Sequence, residues 1–361
     1  VKVSLIILAI AASLLVVVEV SLRVFFGFGN PLIYIADSDC GYLLAPNQSV
    51  RRFGNRIEIN QHSMRNPPIT PIPAVSTRRI LLLGDSIANG GWWTDRLHTI
   101  SEMMAQLLAQ GKGDEGDGGD GGDGGDGGDE GDGGDGGDEE VKSFSSLSSL
   151  PSSSSPSSIP QSKVEVLNAS ANSWGPRNEL AYLEKFGHFG AIAVILLINT
   201  DDLFAKAPSS WVVGRDRNYP NRKPPSAIVE VLTRYLLPSL PLPELELPQK
   251  ERGDIVGYNI EAIRQIKTIV TSVNAQFILA MTPLVREISD RHPRDYEIKA
   301  RTRLTEFTQT EQILYLDFLP IFKSVQHPTT LYRDNIHLSI QGNQLVSEII
   351  TNSLRQQFGN W

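Results

Sequence analysis

Residues 79–86 read Arg79-Ile80-Leu81-Leu82-Leu83-Gly84-Asp85-Ser86, a short apolar run that suits a buried strand, closed by a glycine and two polar residues. A glycine there permits a sharp turn and leaves Ser86 at the carboxyl end of the strand, where open α/β sheets place their sites. Asn89-Gly90-Gly91 follows. Apolar residues then recur at helical spacing, Trp93, Leu97, Ile100, Met103, Met104, Leu107 and Leu108, and predict a helix from about 92 to 110. On this reading Ser86 lies just ahead of a helix start, where free backbone N–H groups stabilise negative charge.

Far along the chain, Ile313-Leu314-Tyr315-Leu316-Asp317-Phe318 reads as a late strand, and Tyr332-Arg333-Asp334-Asn335-Ile336-His337-Leu338-Ser339 leads into an amphipathic helix near 340–355. A serine hydroxyl is a poor nucleophile until a base takes its proton, and neutral imidazole has the right basicity. Asp334, three residues before His337, is placed to hold that ring in the required tautomer. Either fragment alone is ordinary: Gly-Asp-Ser turns arise by chance, and a histidine before a helix is often a cap. Their order and strand context together point to serine acyl transfer.

With these motifs the chain resembles the SGNH or GDSL hydrolases over about residues 78–356, less two insertions. The resemblance implies a three-layer, flavodoxin-like α/β fold with a central, mostly parallel sheet. It also implies Ser86 as nucleophile, Asp334 as orienting acid and His337 as base, with the Ser86 N–H as an oxyanion donor. The middle motifs depart from the family pattern. Lys163-Val164-Glu165-Val166-Leu167 alternates toward a second strand and runs into Asn168-Ala169-Ser170-Ala171-Asn172-Ser173-Trp174-Gly175-Pro176, where Asn172-Ser173 stands in place of the family's oxyanion glycine. A backbone donor survives that change if its dihedrals remain accessible. Ala193-Val194-Ile195-Leu196-Leu197-Ile198 forms a third strand leading to Asn199-Thr200-Asp201-Asp202, and Asp201 occupies the family's asparagine position. An ionised carboxylate only accepts hydrogen bonds and opposes a developing oxyanion. Three arrangements answer this, in order of preference: Asn199 or backbone N–H groups donate instead, Asp201 is held protonated, or the site is weaker. Capping of the next segment accounts equally for Asp201 and Asp202 as structural residues.

No metal or other cofactor is expected, since the sequence offers no clustered histidines or cysteines and an acyl-serine route needs none. The expected activity is that of a serine esterase on an O-acyl, chiefly O-acetyl, ester. The alternatives are an O-acetyltransferase acting on envelope polysaccharide and a catalytically reduced, polymer-binding envelope protein. The residues leave the acyl acceptor and the oligomeric state open.

Residues 1–26 give the location. Val3 to Val18 carries no charge, and although Glu19 interrupts it, Val20, Leu22, Val24, Phe25 and Phe26 extend the apolar stretch to about 24 residues, where a spanning helix needs about 20. No Ala-x-Ala cleavage site is evident, so an uncleaved signal anchor is preferred to a removed signal peptide, with a buried helix third. Val1 in place of a methionine fits a non-AUG start or a truncation. The expected arrangement is a catalytic domain on the outer, periplasmic side of a bacterial inner membrane, with secretion after cleavage as the alternative. Cys40 is the single cysteine and discriminates no compartment.

Residues 27–77 read as short strands with Gly/Asn turns, and resemble the lead-in of membrane-associated bacterial SGNH proteins; packing against the catalytic domain is preferred to substrate recognition. Residues 111–162 form an Asp-Gly-Gly repeat followed by Ser/Pro-rich sequence, too poor in apolar residues to order itself. It joins a helix end to a strand start and is expected at the edge opposite Ser86. Without the 13 acids and one lysine of 111–140 the net charge of −8 becomes +4, mildly basic but without the aromatic and basic pattern of a nucleic-acid groove. A second insertion, 204–250, carries Trp211, Val212, Val213 and an apolar stretch at 228–236 before Pro238, Pro241, Pro243 and Pro248 break regular structure, and is a candidate lid or plain peripheral packing. Helices at 255–273 and about 296–312 and a strand at 277–281 complete the alternation of one catalytic domain, 78–356.

Overall fold

A computed structural model describes residues 2–110, 163–237, 251–289 and 292–359. The disorder expected of 111–162 and the breaks expected at Pro238, Pro241, Pro243 and Pro248 lie outside the described residues.

Helix α1 (Lys2–Ser21) continues through a π-helical turn (Leu22–Phe26) and stops at Gly27. Two antiparallel hairpins follow, β1 (Tyr34–Asp37) with β2 (Gly41–Leu44), and β3 (Gln48–Arg52) with β4 (Asn55–Ile59). Strand β5 (Thr77–Gly84) then leads to the one-turn helix α2 (Ser86–Asn89) and helix α3 (Ile100–Gln110). After β6 (Lys163–Ser170) comes α4 (Pro176–Phe186), and after β7 (Ala193–Asn199) come the short α5 (Ala227–Val231) and the long α6 (Ile255–Ser272). The chain ends with β8 (Gln276–Thr282), α7 (Val285–Ile288), α8 (Asp295–Thr310), β9 (Leu314–Asp317), α9 (Phe318–Ser324) and α10 (Ile340–Phe358).

The five central strands pair in the order β6-β5-β7-β8-β9, every neighbour parallel. A parallel sheet covered by helices on both faces requires apolar residues on both sides of each strand, which is why β5 and β7 read as continuous apolar runs. Along β5 the side chains alternate between two cores. Leu81 and Leu83 join Tyr182, Ile263, Ile266 and Leu304 on one face, whereas Ile80 and Leu82 join Ile100, Met104, Val346 and Ile350 on the other. Each fully buried leucine or isoleucine contributes about 1.5–3 kcal/mol relative to exposure. The molecule is therefore a three-layer α/β protein, with α3 and α10 packed together on one side and α4, α6 and α8 on the other.

In this strand order the direction of winding reverses between β5 and β7, and a crevice opens at their carboxyl ends. Ser86 follows β5 directly, at that crevice. The amino ends lie opposite: Lys163, first residue of β6, pairs with Thr77, so the insertion after Gln110 returns to the sheet at the edge away from Ser86.

Two elements differ from the sequence reading. The helix expected from about 92 begins only at Ile100, because Gly90 (φ 76°) ends α2 and Asp95 caps a separate 3-10 turn at Arg96–His98. The lead-in hairpins do more than pack: Tyr42, Leu44, Ile57 and Ile59 share the core of the catalytic domain, while other residues of the same segment line the crevice. Helix α1 is exposed from Val3 to Val18, meets α5 at Glu19, and with the turn after it is long and apolar enough to cross a membrane.

Candidate active site

Gly84 is where the strand must give way. A Cβ at this position would lie 2.6 Å from the Leu197 carbonyl oxygen and 2.8 Å from Ala88 Cβ, so only glycine lets β5 pass β7 this closely while α2 folds back over it. Asp85 caps α2, its Oδ1 accepting from the Ile87 N–H at 2.8 Å. Ser86 then becomes the first residue of the helical turn and the floor of the crevice, about one-tenth exposed.

The loop after β9 and α9 brings the second motif to the same point. Asp334 Oδ1 accepts from the backbone N–H groups of Ile336 (3.0 Å) and His337 (2.9 Å), a tight local turn that fixes the carboxylate beneath the imidazole. His337 Nδ1 lies 2.8 Å from Asp334 Oδ2, and His337 Nε2 lies 2.9 Å from Ser86 Oγ. Partial burial pushes the Asp334 carboxyl up, but the two backbone N–H groups and the imidazole outweigh it, so it sits below its ordinary value. An ionised Asp334 accepts from Nδ1–H and leaves Nε2 as the acceptor facing Ser86.

Of the oxyanion candidates, Ser173 and Asn172 line the cavity with Ser86 and His337. Ser173 holds φ at 59°, the left-handed conformation that a glycine would adopt freely, so the backbone geometry persists without the glycine. Its hydroxyl accepts from Tyr219 Oη at 2.7 Å. Among the described residues no loop or turn hydrogen bond engages the backbone N–H of Ser86 or of Ser173.

Asn199 and Asp201 are placed elsewhere. Asn199 Nδ2 donates to Asp85 Oδ2 (2.8 Å) and to Asp202 Oδ2 (2.9 Å), so both of its amide hydrogens are committed below the serine. Asp201 turns away from the crevice and pairs with Arg286 at 2.9 Å, where the guanidinium also holds Glu297. The cap of the following turn is Asn199, whose Oδ1 accepts from the Asp201 N–H at 2.7 Å, and Asp202 completes it by accepting from the Asn199 N–H at 2.7 Å, so the capping alternative holds for Asp202 and not for the Asp201 carboxylate. Neither side chain is thus available to an oxyanion, because one is spent on carboxylates and the other faces a cation.

Under Ser86 lies a group of acids that spacing alone did not single out. Burial pushes Asp85 up, against the pull of the Ile87 N–H and nearby His337. It pushes Asp202 and Glu179 well above the ordinary carboxyl value, and the charges of these groups raise one another further. Glu179 is fully buried, and among the described residues neither of its carboxyl oxygens has a hydrogen-bond partner. Among the described residues no group of histidine, cysteine and acids is arranged to hold a metal ion.

The cavity above Ser86 measures about 290 Å³, and its aromatic walls draw on three segments. Trp92 and Trp93 come from the turn after α2, Tyr34 and Phe53 from the lead-in hairpins, and Tyr219 and Tyr235 from the 204–250 insertion. The Trp93 ring is tilted against the His337 ring with centroids 4.4 Å apart, and the Arg333 guanidinium lies over both tryptophans, 4.9 Å from the Trp93 centroid and 5.4 Å from that of Trp92. Helical spacing counts Trp93 among the apolar positions of a helix; no periodicity distinguishes such a ring from one packed against a histidine.

No family model matches the chain, and no curated protein matches it. Solved structures do resemble it. A lipase/acylhydrolase from Enterococcus faecalis aligns at 13% identity over 79% of this chain and 98% of its own, with a TM-score of 0.39. A GDSL-like lipase from Bacteroides thetaiotaomicron aligns at 8% identity over 79% and 92%, with a TM-score of 0.41. An acetylxylan esterase from Geobacillus stearothermophilus aligns at 14% identity over 80% and 97%, with a TM-score of 0.39. Likeness at this level carries no argument for chemistry, which rests on the residues of this chain.

Proposed function

We propose that the chain is a serine ester hydrolase that works through an acyl-enzyme on Ser86. The observation carrying this reading is the unbroken series Ser86 Oγ, His337 Nε2, His337 Nδ1, Asp334 Oδ2, with steps of 2.9 Å and 2.8 Å across the two hydrogen bonds, at the floor of an open aromatic cavity.

His337 Nε2 takes the Ser86 proton as Oγ attacks the ester carbonyl, and Asp334 stabilises the imidazolium that forms. The tetrahedral oxyanion is met by the backbone N–H groups of Ser86 and Ser173, the left-handed turn at Ser173 supplying the second donor. As the intermediate collapses, Nε2–H protonates the departing alcohol. Water, deprotonated by the same nitrogen, then releases the acid and restores Ser86. A chain with two backbone donors and no side-chain amide in this role has a weaker oxyanion site; losing one donor typically costs about 10²–10³ in rate. We take the acyl group to be short, chiefly acetyl, with the alcohol lying against the aromatic walls of the cavity. A sugar hydroxyl in place of water would turn the same steps into acetyl transfer.

We further propose that α1 anchors the enzyme, with the catalytic domain on the periplasmic side; protease reaching the domain in spheroplasts, but not in intact cells, is the expected result. For the activity itself, turnover of a chromogenic acetyl ester is expected to fall about 10³-fold or more in Ser86→Ala. A variant that keeps its rate would refute the assignment.

A further inference from the structure

The end of α1, the tip of the β3–β4 hairpin and the α5 segment meet in one place. The Phe53 N–H donates to the Phe26 carbonyl at 3.1 Å, which ties the hairpin tip to the last helical turn. Rings continue the contact: Phe26 with Phe53 at 5.9 Å, Phe28 with Phe53 at 5.6 Å, and Phe28 with Tyr235 at 6.0 Å. Glu19, the one acid in α1, caps α5 by accepting from the N–H groups of Ala227 (2.8 Å) and Ile228 (2.9 Å). Arg23 closes the same carboxylate at 2.6 Å. Helix α1 is therefore built into the body of the enzyme and not merely appended to it.

The outer side of this junction is apolar. Beside Phe25 (70% exposed) and Phe26 (42%), the segment following α5 presents Leu232 (41%), Tyr235 (54%), Leu236 (69%) and Leu237 (55%). Phe53 is 43% exposed and holds φ at 48°, a left-handed conformation that costs a bulky residue energy and is more usual for asparagine or glycine. Such strain persists where the surroundings require that side chain at that point. Exposed Arg51 lies on the same hairpin.

Length places this face relative to a bilayer. The 25 residues of Lys2–Phe26 span about 38 Å at 1.5 Å per residue, more than a hydrocarbon core of about 30 Å. The last turn and the rings around it therefore reach the headgroup layer, the depth at which aromatic and arginine side chains are favoured. The catalytic cavity is at the same level. Asn30 lines it and lies four residues beyond Phe26, within about 15 Å by chain reach, and Phe53 and Tyr235 belong both to the exposed apolar face and to the cavity wall.

We propose that this face is bedded in the headgroup layer of the membrane that holds α1, and that the cavity takes its ester from that membrane. The substrate class is an acyl ester carried on a membrane-bound amphiphile. This rests on the hydrolase reading above and on α1 being retained in the mature protein.

The test uses the full chain in vesicles of phosphatidylcholine and phosphatidylglycerol, with a short water-soluble acetyl ester and an acetylated amphiphile in the bilayer as paired substrates. The variant is Leu232→Gln with Leu236→Gln, positions outside the cavity wall. It is expected to hydrolyse the soluble ester within twofold of the parent and the bilayer ester at least tenfold more slowly. Equal rates for variant and parent on the bilayer ester would overturn the proposal, as would a parent with no preference for that ester. In parallel, a fluorescent dye on Leu236→Cys should be quenched by lipid spin-labelled near the headgroup and shielded from aqueous iodide; free quenching by iodide overturns the docking surface directly. If the parent turns over neither ester, the hydrolase reading and with it the substrate class fail, while the dye still decides whether the face is membrane-bound.

Discussion

Ser86 depends on neighbours that do different work. In the proposed mechanism His337 and Asp334 act on its proton, while Asp85 fixes the turn it stands on and Trp93 packs against the imidazole. Trp93→Ala is expected to lower kcat about tenfold to a hundredfold, because a ring held 4.4 Å from His337 limits its orientation. Asp201 is the contrasting residue. Its carboxylate is paired with Arg286 outside the cavity, so Asp201→Asn should leave kcat within about twofold and cost at most about 1 kcal/mol of stability for a half-exposed ion pair. A large loss of kcat in that variant would return Asp201 to the oxyanion site. That Ser86, Asp334 and His337 would meet was legible in the sequence, because each belongs to a short motif in strand context. Trp93, Arg333 and Tyr219 were not, because their roles arise from rings and cations brought together from separate segments.

At the scale of elements, the alternation of strands and helices could be read directly, since a parallel sheet buried on both faces leaves unbroken apolar runs in β5, β7 and β8. The start of α3 could not. Trp92 and Trp93 continue its apolar spacing but belong to the cavity wall, and Gly90 with the Asp95 cap divides the segment. Helix α4 holds a second feature that spacing conceals, Glu179 on its buried face, without a hydrogen-bond partner among the described residues. Burial raises the Glu179 pKa in the native state, so the folded protein binds this proton more tightly than the unfolded chain. Its contribution is fully present below the ordinary glutamate pKa, about 4.3, and is lost as pH rises toward the raised native value. Glu179→Gln removes that loss. Urea unfolding should show the variant more stable than the parent by about 2 kcal/mol near pH 8, with the difference vanishing below about pH 4. A variant equally stable at both pH values would mean that Glu179 has a partner in solution.

Across the whole molecule, the segments that vary around the sheet converge at one end of it. Residues of the lead-in and of 218–235 line the cavity at the carboxyl edge beside Ser86, whereas Lys163, where β6 begins, lies at the opposite edge. The expected edges follow from the flanks of each insertion, a helix end and a strand start for the first and a strand end for the second. Packing is the preferred sequence reading of the lead-in and only 204–250 is left open between lid and packing, because spacing does not show that Phe53 and Tyr235 line the cavity. The central claim is that Ser86 is a nucleophile activated by His337, and intact-protein mass spectrometry after treatment with a serine-reactive phosphonate tests it most directly. The expected result is a single adduct, mapped to the peptide containing Ser86 and absent from Ser86→Ala and His337→Ala. A folded parent that forms no adduct, or an adduct that persists in Ser86→Ala, would contradict it.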